Sequence, residues 1–261
     1  MTTAELSGGG PRTGRRTASK VPEVTALFWV IKVLTTGVGE TTSDFFAHNV
    51  DPVIAVGVAG LVLAGSLVAQ FLSRTYRPWL YWTTVVLVSV FGTMAADAAH
   101  VGFGVPYAVS TAVFAIVLAA VFLLWHRLER TLSIHDITTP RREVFYWLAV
   151  GTTFALGTAL GDLTATTLHL GYLGSGVVFA VVIAVPPLAR RFAGLGSVAT
   201  FWAAYVVTRP LGASFADWLG VGPDRGGVGL GTGPVSVTLL LVIAALVAFL
   251  GVTQASGRRA R

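Results

Sequence analysis

Cysteine is absent from the 261 residues, which excludes disulfides, thiolate metal ligands and cysteine nucleophiles. Methionine occurs only at Met1 and Met94, so a thioether path for soft metals is excluded as well. Charge is scarce: 11% of residues are charged and 54% are hydrophobic, whereas a soluble domain carries about a quarter charged residues. There is no nucleotide-binding loop, so any energy for transport must come from ion gradients or the membrane potential. There is also no HExxH helix and no nucleophile elbow, which weighs against a membrane-embedded enzyme using paired carboxylates as acid and base.

What is present is a series of uncharged runs near ~20 residues, the length that crosses the bilayer hydrocarbon as a helix. Hydropathy predicts spans near 23–46, 52–72, 79–100, 105–126, 143–168, 172–189, 197–220 and 234–254. Pro22, Pro52, Pro78 and Pro106 fall at span starts, where proline costs a helix little. The net charge of +6 is read as a membrane signal and not as nucleic-acid binding. Arg74 and Arg77, the cluster Arg127, Arg130, Arg141 and Arg142, and the pair Arg190 and Arg191 all fall in alternate loops. Both termini are basic too. The positive-inside rule then places both termini in the cytoplasm. Residues 1–21 read as a disordered basic arm without the apolar stretch of a signal peptide. Residues 22–128 and 143–255 form two halves, 129–142 a cytoplasmic linker and 256–261 a basic tail.

The chain also repeats itself. An aromatic residue precedes a tryptophan, a glycine follows ten residues later, and an aspartate fifteen residues after the tryptophan. The copies are Phe28-Trp29, Gly39, Asp44; Tyr81-Trp82, Gly92, Asp97; Tyr146-Trp147, Gly157, Asp162; and Phe201-Trp202, Gly212, Asp217. Four copies without insertion, each in an odd-numbered span, exceed chance. The expected fold is all-α and integral to the membrane. Its eight transmembrane helices come from four parallel two-helix repeats about an axis along the membrane normal.

On these residues the chain resembles the bacterial membrane proteins made of four tandem repeats of unknown function, labelled uncharacterised membrane-anchored proteins. Each repeat of that family has two spans and a tryptophan, matched here by Trp29, Trp82, Trp147 and Trp202. The resemblance implies a bacterial inner-membrane protein and brings no activity with it.

The intramembrane charges lie in the odd spans: Lys32, Glu40, Asp44, Asp97, Asp162, Arg209 and Asp217. A helix with a polar stripe suits a bundle centre, and one apolar all round suits a lipid-facing ring. Odd helices are therefore expected inside and even helices outside. Glu40, Asp44, Asp97, Asp162 and Asp217 read as a carboxylate-lined cation path. The competing reading ends each helix at the interface with an aspartate. His48, His100 and His169 follow three of the aspartates at helical spacing. They are candidate metal ligands that would favour Mn²⁺ over Mg²⁺, or else interfacial loop residues. Lys32 reads as a gating or ion-pair residue alongside Arg209, or else as one that snorkels toward the cytoplasm. Arg209, beside Pro210, is expected to form an ion pair with Glu40, either static or opened by a cation. The tryptophans suit the bilayer interface, with an inner constriction as the alternative, and the motif glycines suit close helix approach.

The leading reading is a membrane transporter for a small cation, a divalent metal such as Mn²⁺ or a proton-coupled solute, with the cation as substrate. A non-transporting structural or sensory membrane protein is the alternative. Expected partners are the lipid bilayer and the cation; oligomerisation is left open.

Overall fold

The computed structural model describes residues 19–259. Its helices are α1 (Ala26–Asn49), α2 (Pro52–Leu72), α3 (Pro78–Asp97), α4 (Tyr107–Glu129), α5 (Pro140–Asp162), α6 (Gly171–Val182), α7 (Val185–Ala193), α8 (Ser197–Gly220) and α9 (Thr232–Arg259). Their starts follow local chemistry. The Thr25 and Thr139 hydroxyls accept from Phe28 N–H and Arg142 N–H, and the Asp51 carboxylate accepts from Val53 and Ile54 N–H. Each satisfies N–H groups that an α-helix leaves open at its start. Prolines 52, 78 and 140 open α2, α3 and α5, where the missing N–H is no loss.

Among the described residues, six segments are long and apolar enough to cross a membrane: α2, α3, α4, α5 with its π-helical extension, α6 with α7, and α9. This is a membrane protein. At 24 residues each, α1 and α8 are also long enough, since 24 residues rise about 36 Å, but they fall outside those six. Both carry charge: Lys32, Glu40 and Asp44 on α1, Arg209 and Asp217 on α8.

The same two helices are among the best covered. α1 packs on α3 and α8, and α5 packs on the same two, which closes a ring of four. α3 and α5 bury most of their length, whereas α2, α4, α6–α7 and α9 bury little of theirs. On the outer helices Val53, Leu61 and Leu72 are each more than three-quarters exposed, an apolar surface that suits lipid. The outer helices are offset by one place: α2 lies on α3, α4 on α5, α6 on α8 and α9 on α1. α2 touches α1, the helix it follows in sequence, only slightly.

The helix bounds differ from the hydropathy reading in three places. The sixth predicted span breaks at Ile183–Ala184 into α6 and α7. Pro186 and Pro187 follow directly and lack the N–H groups that would bond back across the junction. α9 runs on through Arg259, into the stretch read as a tail. α3 and α5 both end in a π-helical turn, at Ala98–Gly102 and Leu163–Thr167, immediately after Asp97 and Asp162.

The predicted disordered arm lies outside the described residues up to position 18. Residues 19–21 are held against the linker. Ser19 Oγ donates to the Ile134 carbonyl, Lys20 N–H to the Ile137 carbonyl, and Lys20 Nζ to the Phe71 carbonyl. Lys20 also pairs with the buried Glu143 at 2.6 Å. This segment, the linker and the start of α5 thus pack together at the end of the bundle that carries the tryptophans.

Candidate cation site

The repeated residues meet across repeat boundaries. The leading aromatic of each copy packs on the tryptophan of the next: Phe28 on Trp82 at 5.5 Å, Tyr81 on Trp147 at 5.8 Å, Tyr146 on Trp202 at 6.2 Å, and Phe201 on Trp29 at 5.6 Å between centroids. The fourth contact returns to the first copy. The motif glycines follow the same rule. A Cβ on Gly39 would meet Ser89, on Gly92 Phe154, on Gly157 Arg209, and on Gly212 Thr36. Those four neighbours each stand seven residues after the tryptophan of the following copy. The glycines let adjacent helices touch at one level around the ring.

Arg209 occupies that level in the fourth copy, and its side chain turns inward. It is fully buried. Nη2 donates to Glu40 Oε2 at 2.6 Å, to Thr158 Oγ1 at 2.6 Å and to Thr93 Oγ1; Nη1 donates to the Thr36 carbonyl at 3.3 Å. The partners come from α1, α3 and α5, so the guanidinium lies where all four inner helices meet. Glu40, Thr93 and Thr158 are the same position in the first three copies, eleven residues after each tryptophan. The fourth copy has Ala213 there. Arginine from the fourth copy thus meets an oxygen ligand from each of the other three.

Beyond the guanidinium, carboxylate oxygens of Glu40, Asp162 and Asp217 lie within 4.8 Å of one another. These residues come from α1, α5 and α8, and α1 and α5 are opposite members of the ring, so this cluster too is axial. Asp217 Oδ1 is buried and has no hydrogen-bond donor. An acceptor buried without a donor is costly, and a cation would satisfy it. Three oxygen ligands in one place suit a hard divalent cation such as Mg²⁺, Ca²⁺ or Mn²⁺. The other predicted path residues stand beside this cluster: Asp97 Oδ2 accepts from Ser43 Oγ at 3.0 Å, and Asp44 is half-buried.

On the other side of Arg209 lies Lys32, 1% exposed. It does not snorkel. Nζ sits 4.0 Å from the Phe154 ring centroid and 4.3 Å from that of Tyr205, with no hydrogen-bond partner. The interior offers it aromatic faces, whose negative quadrupole attracts a cation. Outward escape is blocked because α1 is covered by α3, α8 and α9.

The three histidines stay apart from the carboxylate cluster. His48 is exposed and bonds through Nδ1 to the Asp44 carbonyl. His100 is buried between the Val105 carbonyl and Ser110. His169 is exposed, with a positive φ of 56°. The ground for preferring Mn²⁺ over Mg²⁺ falls with them. Trp82, Trp147 and Trp202 are buried and Trp29 is half-buried; they form the aromatic ring and do not face lipid as a belt. Sequence reading missed Thr93 and Thr158. Their signal was the offset of eleven that they share with Glu40.

The family described as Repeat of Unknown Function (DUF347) matches residues 27–76, 80–131, 145–193 and 200–256. No curated protein and no solved structure matches the chain. The four matched segments each begin just before or at a motif aromatic pair and together span most of the chain, which belongs to the family built on this repeat.

Proposed function

We propose that the protein is a cation transporter of eight transmembrane helices, its four repeats parallel about an axis along the membrane normal. In this reading the inner membrane holds it with both termini in the cytoplasm, the charge-bearing odd helices are central and the even ones peripheral. A hard divalent cation binds between Glu40, Asp162 and Asp217, and competes with Arg209 for Glu40. The observation that carries the reading is the axial carboxylate cluster, with its donorless Asp217 oxygen, beside a guanidinium paired to one of its members. Arg209 and Lys32 both place positive charge on the axis, which opposes a freely conducting cation pore. A carrier fits better, since the site can exchange one positive occupant for another.

Purified protein titrated with Mn²⁺, Mg²⁺ and Ca²⁺ tests this. Glu40→Gln, Asp162→Asn and Asp217→Asn should each weaken binding roughly tenfold or more, because affinity follows ligand charge. If all three bind as the unaltered protein does, or if none of the cations binds, the site is not a cation site. The interlocked packing around the ring would then favour the structural role.

A further inference from the structure

Among the described residues, Lys32 is a buried cation that the carboxylate site does not use. We infer that Lys32 holds a proton that is exchanged for the bound cation, so that the transported ion and a proton displace one another. The inference rests on the cation-carrier reading and adds its coupling ion.

Lys32 and Arg209 share one aromatic ring. Phe154 lies 4.0 Å from Lys32 Nζ and 5.7 Å from Arg209 Cζ, centroid to atom. Only Arg209 has a carboxylate partner; Lys32 Nζ has none. While Glu40 neutralises the guanidinium, the ring faces one uncompensated cation. A metal ion taking Glu40 frees the guanidinium, and two uncompensated cations then face the same ring in a low-dielectric interior. Only one of them can shed its charge. A guanidinium keeps its proton at any physiological pH, whereas an amine can give one up. The N–H bond of the Lys32 ammonium breaks, the nitrogen keeps the electron pair, and the proton leaves.

Lys32 lies over the Tyr205 ring. The Tyr205 hydroxyl is buried without a hydrogen-bond partner, while the Tyr146 hydroxyl hydrogen-bonds to that of Tyr81. The proton is taken up by water outside the bundle. The groups facing Lys32 are Tyr205 and Arg209 on α8 and Phe154 across the ring on α5; on α3 the titratable side chains are Tyr81 and Asp97. α2 contributes no titratable side chain, and neither does α9 over 232–253.

The test counts protons. Full-length protein in detergent, weakly buffered with a pH indicator, is titrated with Mn²⁺ while bound metal is measured. Lys32→Met should bind Mn²⁺ and release one proton fewer per metal than the unaltered protein. Removing an unpartnered buried charge also favours folding. An equal proton count in Lys32→Met overturns the inference and leaves the cation site standing. Absence of Mn²⁺ binding in the unaltered protein overturns both.

Discussion

Gly157 and Arg209 are in van der Waals register: a Cβ on the glycine would overlap the aliphatic stem of the arginine, and Pro210 Cδ stands 3.0 Å away on the same side. The stem passes over bare backbone before the guanidinium reaches Glu40. Gly157→Ala should push the stem aside, at the typical overpacking cost of about 1–3 kcal/mol, and lower the melting temperature in detergent. Gly151→Ala is the control, because its Cβ would meet only Val88 at an ordinary 3.9 Å. Equal melting of the two variants would refute the tight approach.

The Arg209–Glu40 pair makes its two partners respond differently. Removing one partner of a buried pair costs about 3–5 kcal/mol, because the other charge is stranded. Glu40→Gln strands Arg209, and no added metal repairs that. Arg209→Gln strands Glu40, which a metal ion can compensate. Millimolar Mn²⁺ should therefore raise the melting temperature of Arg209→Gln, as any ligand of the folded state does, and leave that of Glu40→Gln where it is. Mn²⁺ should also bind more tightly to Arg209→Gln than to the unaltered protein. Equal responses would mean that arginine and metal do not compete.

Topology has its own check in a chain without cysteine. His135 and Val228 are exposed, on the linker and on the loop before α9. With both termini inside, Val228→Cys should react with an impermeant thiol reagent added to intact cells, and His135→Cys should not. The reverse pattern would invert the bundle.

Much of this was legible because a spacing repeated four times reports geometry. Tryptophan, glycine and aspartate at constant offsets place equivalent residues at equivalent depths, and the ion pair of Arg209 with Glu40 followed from depth alone. What lay hidden was how neighbouring copies engage. No single repeat reveals that its glycine faces the following copy, because that contact forms only when the ring closes. Lys32 was misjudged for a related reason. Near a helix end its chain could reach water, but the cover from α8 and α9 is distant in sequence. Ala213, at the position that Glu40 holds in the first copy, stands in the same helix as the arginine that the other copies ligate.

The offset of the outer helices has a consequence for biosynthesis. α1 is packed against α3, α8 and α9, and the last two of these are made long after it. α1, with Lys32, Glu40 and Asp44, must therefore wait, incompletely covered, until α8 and α9 have been made. α9 then completes the circle by docking where the chain began. A truncation that removes α9 would strip α1 of its apolar cover and not merely shorten the fourth repeat. Quality control should read that product as an unfinished ring, and it should be degraded faster than one lacking the arm before residue 19.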